Sequence, residues 1–510
     1  MKLTSSPIPA LFAFLKILFH VLTIATFGFH RDELLYLSLG RHLDWGYWSN
    51  PPFIGAVTWL SQNILGDSVW ATRLPSVLCG GLLVWLVVRM ARELGGGVWA
   101  QVLCGAAMLL SPAWLRMNSM LQPVPFDVLF WALSSFCVVR WLNTRDPRWW
   151  LWLGVAVGIG FLNKYTLAFW VIGLLIALLL TPERRSLVTR QPWQAAGIAL
   201  LILLPNLIWQ CTYHFPVLHH MQELSRNQLA NVQPFNFLLD QVFLHGTGVL
   251  LWMAGLLFLL FAKAMQPYRM LGWFYIAVVL VLLFLGGKSY YTAGAYPVLF
   301  AAGGVFWGKI LQRNWQRLLL IGVMVGCAWP LVPAGIPLYS GEKAVAYFRW
   351  LSQDLGLDGV TRWEDGKPHP LPQDFADMLG WPELADLTDR AVAQAGGNSN
   401  CVVYGENYGQ AGAAAHLSHS GQTGALVLSF SDAWRLWLPD TLPAQNLVYI
   451  NDEMGEDVQR LFGNIQLIGK IENPLAREYG TGVWLCREPR SSLQEFWGER
   501  VREVRAVFMR

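Results

Sequence analysis

Charged side chains make up only 14% of this 510-residue chain, against roughly 25% in a soluble globular protein. That scarcity excludes an ordinary soluble enzyme. Cysteine is sparse too, with seven residues and no Cys-x-x-Cys pair, so a structural zinc site is not expected. Cys79, Cys104, Cys137 and Cys327 fall in apolar runs and read as small packing residues, with Cys211 at the end of one. Cys401 and Cys486 fall in β-type segments where oxidation is open, but spacing alone does not establish a pairing. Heptads, low-complexity tracts and short repeats are missing, which excludes a coiled coil or a repeat solenoid. A net charge of only +4 gives no pull toward an anionic polymer, and no nucleic-acid partner is expected.

What the chain has in abundance is apolar length, with 54% hydrophobic residues. Crossing a hydrocarbon core takes roughly 20 apolar residues. Such runs lie at 9–29, 67–88, 97–115, 124–142, 149–163, 165–181, 194–210, 237–262, 270–286, 292–309 and 318–336. About eleven transmembrane helices are therefore expected, the fifth and sixth short and closely joined. With the N-terminus inside, fifteen Lys and Arg fall at one set of ends, Lys2, Lys16, Arg145 and Arg269 among them. Seven fall at the other: Arg31, Arg41, Arg73, Arg116, Lys164, Arg226 and Lys288. Basic residues stay on the cytoplasmic side. The N-terminus is thus expected in the cytoplasm and residues 337–510 outside it. The opening MKLTSSPIPALFAFLKILFH does not read as a cleaved signal, because Lys16 interrupts its apolar run and no small-residue site follows.

The charge divides along the same line. Residues 1–335 carry 22 basic and 10 acidic side chains, and residues 336–510 carry 15 and 23. A membrane domain over 1–336 and an exported α/β domain over 337–510 are expected. The latter shows β-type runs at 401–409, 425–430, 446–451, 465–471 and 482–487, with helical patterns between them.

The exported loop 27–53, FGFHRDELLYLSLGRHLDWGYWSNPPF, gathers His30, Arg31, Asp32 and Glu33 at a membrane boundary. Two readings stand side by side. The acids cap the helix expected at 32–43 and favour its dipole by roughly 0.3–1 kcal/mol, or a carboxylate is held there to take a proton from an acceptor hydroxyl. Asp127, in the fourth run, costs roughly 2.5–3.5 kcal/mol to insert and is a functional candidate by default. The structural alternative is a hydrogen-bonded Asp that holds the first loop or Arg116. Lys164 and Lys288 both point outward against the charge bias, by snorkelling or by function. Tyr290, Tyr291 and Tyr296 follow Lys288, and an ammonium with phenol hydroxyls at headgroup depth suits a lipid phosphate. Arg226, on the exported loop 211–236, is a second phosphate candidate. His214, His219 and His220 share that loop without a ligand spacing and read as loop residues. Trp45, Trp48 and Trp59 read as interfacial anchors.

The loop RDELLYLSLGRHLDWGYWSNPPF with GDSVWATRLPSVLCGG after it resembles the membrane glycosyltransferases of the dolichyl-phosphate-mannose protein mannosyltransferase type, aminoarabinose (lipid A) transferases included. The resemblance continues in order through LQPVPFDVLFWAL, GFLNKYTLAF, GKSYYTAGAYPVLFAAGG, ADMLGWPEL and ENYGQAGA. It implies a GT-C-type bundle, glycosyltransferase family 39-like, in a bacterial inner membrane. It also implies an extracytoplasmic active site, a polyprenyl-phosphate sugar donor and a glycan, lipid or protein acceptor, with lipopolysaccharide modification among the roles. Asp32 then looks like the base of an inverting single displacement, with Glu33 orienting it or binding the acceptor. Lys164, Lys288, Tyr290, Tyr291 and Arg226 look like donor-phosphate contacts. Two departures stand out. Ser49 and Asn50 replace the Glu-Lys before Pro-Pro, whose Glu is a metal ligand in the aminoarabinose transferases. No metal ligands are assigned, and a divalent cation is left open. Asp127 lies about one turn after the position where many relatives have an Asp, where this chain has Val124.

A flippase for lipid-linked sugars, or another transporter, is the alternative. It would show internal repeats and charges near the bilayer midplane, whereas here the ionisable groups gather at one face.

Overall fold

The computed structural model describes residues 6–227 and 233–508. Lys2 and residues 228–232 of the loop carrying Arg226 lie outside the described residues. The chain forms two compact units. The first comprises Met1–Ile24, Arg73–Ile208 and Met221–Ile336, the second Ala25–Thr72, Trp209–His220 and Pro337–Arg510.

Among the described residues, five helices are long and apolar enough to cross a membrane, or seven when two bent pairs count as one span each. Each expected run contains helix, but three differ in detail. The first helix, Ile8–Val21, stops well before residue 29. The run 97–115 breaks at Ser111–Pro112 into Val98–Leu110 and Pro112–Met117, because proline clashes with the preceding turn. The run 237–262 bends by 90° between Pro234–Phe243 and Gly246–Phe261. At that bend Gly246 takes a φ of 52°, a conformation glycine adopts without strain. Side chains brace it from inside. Ser111 Oγ lies 2.8 Å from His245 Nδ1, and Thr292 and Tyr296 donate to Gln241 Oε1 at 2.6 and 2.7 Å.

Lys16, expected at a cytoplasmic end, is enclosed by the protein. It is 1% exposed and donates to the Trp114 carbonyl at 2.8 Å. One turn on, His20 Nε2 lies 3.0 Å from the Leu115 carbonyl oxygen. The short helix Pro112–Met117 leaves its last carbonyls without intrahelical partners, and the two side chains of the first helix meet them.

Helices Val249–Phe261 and Tyr296–Ile310 cross with backbone against backbone. A Cβ on Gly255 would collide with the Leu299 carbonyl, and one on Gly303 with the Leu251 carbonyl. Small residues permit such approach where no hydrophobic force drives helices together.

In the second unit, the helix expected at 32–43 spans Arg31–Arg41. An apolar helix, Phe53–Leu65, follows it and was not anticipated. Trp59, Leu60 and Ile64 are exposed on it, while Thr58 and Ser61 are buried. All five expected strands form: β1 (Cys401–Gly405), β2 (Val427–Leu428), β3 (Asn446–Asn451), β4 (Phe462–Lys470) and β5 (Gly482–Pro489). They build one sheet in the order β2-β1-β3-β5-β4. β1 is parallel to both β2 and β3, and β5 is antiparallel to β3 and β4. Val402, Tyr404, Tyr449, Trp484 and Trp497 form its main apolar core. Cys401 and Cys486 sit on strands flanking β3, two strand spacings or roughly 9.6 Å apart. That exceeds disulfide reach, and both thiols are free and buried.

Gly303→Val is expected to lower the thermal midpoint of the detergent-purified protein, overpacking costing about 1–3 kcal/mol or more. Gly322→Ala, where a Cβ meets open space, should leave it unchanged. Equal midpoints for wild type and Gly303→Val would show that this crossing is loose.

Candidate functional site

Asp32 and Glu33 belong to the second unit, whereas Asp127, Lys164, Arg226, Lys288, Tyr290 and Tyr291 belong to the first. The residues therefore form two groups, each with its own geometry.

In the second unit, His30 caps helix Arg31–Arg41. Its Nδ1 accepts the Asp32 N–H at 3.1 Å, while the His30 N–H donates to Glu33 Oε2 at 2.8 Å. This reciprocal capping box satisfies the free donors of the first turn. Glu33 is fully buried, so its carboxylate serves the helix start from inside the protein. Asp32, one residue earlier, keeps a side-chain exposure of 40%. Its Oδ1 accepts the Tyr408 hydroxyl at 2.7 Å.

Tyr408 opens helix Tyr408–His416, directly after β1. Asn407 caps that helix by accepting the N–H groups of Gly409 and Gln410 at 2.9 and 3.0 Å. Its small residues let it lie close on helix Arg31–Arg41: a Cβ on Gly412 would meet Leu34, and one on Gly409 the Arg31 stem. Arg31 lies over the Tyr408 ring at 4.7 Å, and its Nε is buried without a hydrogen-bond partner among the described residues. Burial, and after it the charge of Asp32, push the Tyr408 phenol well above its usual range. Tyr408 therefore remains a donor at neutral pH. Asp377 completes the cluster. Its carbonyl accepts the Arg31 N–H at 3.1 Å, and its carboxylate accepts from Arg477 at 3.1 Å and lies 3.8 Å from His30 Nε2. Burial raises the Asp377 carboxyl against the opposing pull of His30 and Arg477.

Ser49 donates to Asp432 Oδ1 at 2.9 Å, and Asn50 donates to Ser49 Oγ at 2.7 Å. Ser49 and Asn50 are neutral and already engaged, and no group of three or more His, Cys, Asp or Glu suited to a metal occurs among the described residues. The residues do not fit the metal that the resemblance would place before Pro-Pro. Trp48, expected as an interfacial anchor, is 1% exposed and lies under the Arg435 guanidinium at 4.5 Å.

In the first unit, Asp127 is buried. Its two oxygens accept from Trp131 Nε1 at 3.1 Å and Thr166 Oγ1 at 2.8 Å. Thr166 follows Lys164 by two residues, so Asp127 ties its own helix, Pro123–Thr144, to the turn that carries Lys164. The Lys164 ammonium lies 5.4 and 5.3 Å from the ring centres of Tyr290 and Tyr291. Asp127 and Lys288 both act on it electrostatically. Two ammonium groups, two phenols and one carboxylate thus meet at one end of the helices. Tyr296 points away: it is fully buried on the Gln241 network. Arg226 is exposed in the last turn of helix Pro216–Asn227.

The architecture has solved counterparts. The chain aligns over 93% of its length with 97% of ArnT from Cupriavidus metallidurans bound to undecaprenyl phosphate, at 17% identity and a TM-score of 0.63. The chain has the fold of the ArnT-type membrane glycosyltransferases. Residues 49–209 match the family model described as dolichyl-phosphate-mannose-protein mannosyltransferase. Lipid A galacturonosyltransferase RgtD of Rhizobium johnstonii is 24% identical over 60% of this chain. An undecaprenyl phosphate-alpha-4-amino-4-deoxy-L-arabinose arabinosyl transferase of Pseudomonas fluorescens is 28% identical over 39% of it. The match spans 65% of the first relative's length and 39% of the second's. The resemblance read from RDELLYLSLGRHLDWGYWSNPPF and its successors is thus borne out at the level of fold and relatives.

Sequence reasoning missed Tyr408, Asp377 and Thr166. Tyr408 stood in ENYGQAGA, whose Asn followed by small residues signals a helix start packed closely on something. The sequence does not say on what.

His416 closes the helix that carries Tyr408, and its Nε2 lies 2.8 Å from Ser38 Oγ of helix Arg31–Arg41. Burial holds it well below the usual imidazole range. The folded state therefore binds fewer protons than the unfolded one, and stability falls as pH drops below about 6.5, by up to about 1.4 kcal/mol per unit. His416→Gln should flatten that slope in thermal melts between pH 7 and 5. An unchanged slope would mean other groups control it.

Proposed function

We propose that this chain transfers a sugar from a polyprenyl-phosphate donor to a hydroxyl of a lipid A-type glycolipid, at the extracytoplasmic face of the bacterial inner membrane. The observation that carries the reading is Asp32, a partly exposed carboxylate bonded on one oxygen by a neutral phenol. It is poised to accept a proton. The fold supports a membrane enzyme, and the names of the relatives supply the donor and acceptor classes.

The reaction is a single displacement with inversion. The acceptor hydroxyl gives its proton to Asp32 as its oxygen bonds to the anomeric carbon. The bond from that carbon to the phosphate oxygen breaks, and polyprenyl phosphate leaves with the electron pair. Lys164 and Lys288 meet the growing phosphate charge, with the hydroxyls of Tyr290 and Tyr291 as donors and Arg226 as a further clamp. Asp127 holds the turn bearing Lys164 in place and balances its charge. Glu33 orients Asp32 through the helix start, and Tyr408 fixes the rotamer of its carboxylate. No step runs through a metal.

The same reading takes residues 1–336 as eleven spans with the N-terminus in the cytoplasm, and 337–510 as the exported domain. On this reading the short helices Ile8–Val21, Val98–Leu110, Arg148–Asn163 and Tyr296–Ile310 are taken as four further spans, beside the five long helices and the two bent pairs.

Asp32→Asn should lower transfer of radiolabelled sugar by about 10²–10⁴-fold in purified, folded protein without an ion gradient. Wild-type rates would remove Asp32 as base, and movement of the lipid-linked sugar without transfer would favour a flippase. Tyr408→Phe should lower kcat by about tenfold and leave the acceptor KM nearly unchanged. A rise in KM alone would assign Tyr408 to binding.

A further inference from the structure

Unit one holds a second polar site at the other end of its helices. A cavity of about 680 Å³ opens where Pro123–Thr144 and Leu167–Leu179 finish and Arg269–Phe284 begins. Asp127 lies near the opposite end of the first of these helices, about 27 Å away at 1.5 Å per residue. Lys164 and Lys288 likewise lie at the far ends of the other two. The cavity therefore cannot be part of the cluster around Lys164.

Its lining is two-sided. Arg145, Glu183, Gln266 and Arg269 form a polar side, and apolar residues including Phe261 and Trp273 form the rest. Arg145 and Glu183 neutralise each other through two hydrogen bonds of 2.6 and 2.9 Å. Arg145 is also the left-handed cap of helix Pro123–Thr144, with a φ of 55° and its N–H on the Trp141 carbonyl. Arg269 is different. Its Nε is buried with no hydrogen-bond partner, and no carboxylate among the described residues forms an ion pair with it. One guanidinium without an ion-pair partner among the described residues thus shares a cavity with the neutralised Arg145–Glu183 pair and an apolar wall. Phe261 is 74% exposed at this rim and Trp273 36%, so the apolar side continues onto the outer surface of the bundle.

We propose that this cavity binds the phosphate headgroup of an anionic phospholipid, with an acyl chain lying along Phe261 and Trp273. A phosphate oxygen meets the orphaned Arg269 donor, in the manner by which arginine binds phosphate. The Gln266 amide adds a neutral donor at the rim. The charge balance selects an anion, and the apolar wall selects an amphiphile over a free ion. Basic pockets between membrane helices on the cytoplasmic side are suited to such headgroups. The site is independent of sugar transfer, so its test stands apart from that of Asp32.

The full-length protein in a neutral detergent, incubated with 1-palmitoyl-2-oleoyl phosphatidylglycerol or with phosphatidylcholine of the same chains, can be examined by native mass spectrometry. One phosphatidylglycerol should survive activation that strips phosphatidylcholine. Arg269→Ala should weaken that retention on the order of tenfold. Gln266→Glu, an exposed change that spares packing, should do the same by adding a negative charge. Equal retention of both lipids, or retention unchanged in both variants, would overturn the proposal. Displacement of the lipid by millimolar inorganic phosphate would overturn the lipid assignment in favour of a free phosphate.

Discussion

In hydrocarbon, a backbone carbonyl or a charge that finds no partner inside the protein finds none at all. The first unit is arranged by that constraint. Where Pro112 breaks a helix, Lys16 and His20 come in from the first helix and accept the task of bonding Trp114 and Leu115. Where Gly246 turns another helix by 90°, His245, Gln241, Tyr296 and Ser111 form a polar knot around the turn. Asp127 is held by Trp131 and Thr166. Both of these irregularities are thus accompanied by buried polar side chains.

The same logic sorts the charges by what surrounds them. Lys16 is buried against a carbonyl and its role ends there. Lys164 instead stands before two tyrosine rings, where Asp127 and Lys288 both act on it. Like-charged ammonium groups repel, and an anion placed between them relieves that repulsion. Arg269, at the other end of the helices, has no carboxylate in an ion pair with it among the described residues.

The apolar runs and the five strands were legible because both are periodic features of local sequence. The interruptions were less so. Pro112 sits plainly in the sequence, yet the run 97–115 reads as continuous because hydropathy averages over a window. The burial of Lys16 is hidden for a similar reason, because a charge count ignores which face of a helix a residue occupies. Helix Phe53–Leu65 is too short to register as a span, and its Thr58, Ser61 and Gln62 dilute the apolar signal. Asp32 and Glu33 stood out as charges at a boundary, but adjacent acids look alike in sequence. Only the capping geometry separates them, turning Glu33 inward on the His30 N–H and leaving Asp32 partly exposed.

Tyr408 was invisible for a different reason, since 376 residues separate it from Asp32. What joins them is a helix pairing. Helix Tyr408–His416 is rich in Gly and Ala, which have little to bury on their own, and Leu34 of helix Arg31–Arg41 packs against Gly412. The Asn407 cap then sets where that helix begins, and therefore where its first side chain points. A change at the cap or along the small-residue face would move the phenol without touching it. The geometry at Asp32 is in this sense written in residues that carry no chemistry, through the order cap, packing, hydrogen bond.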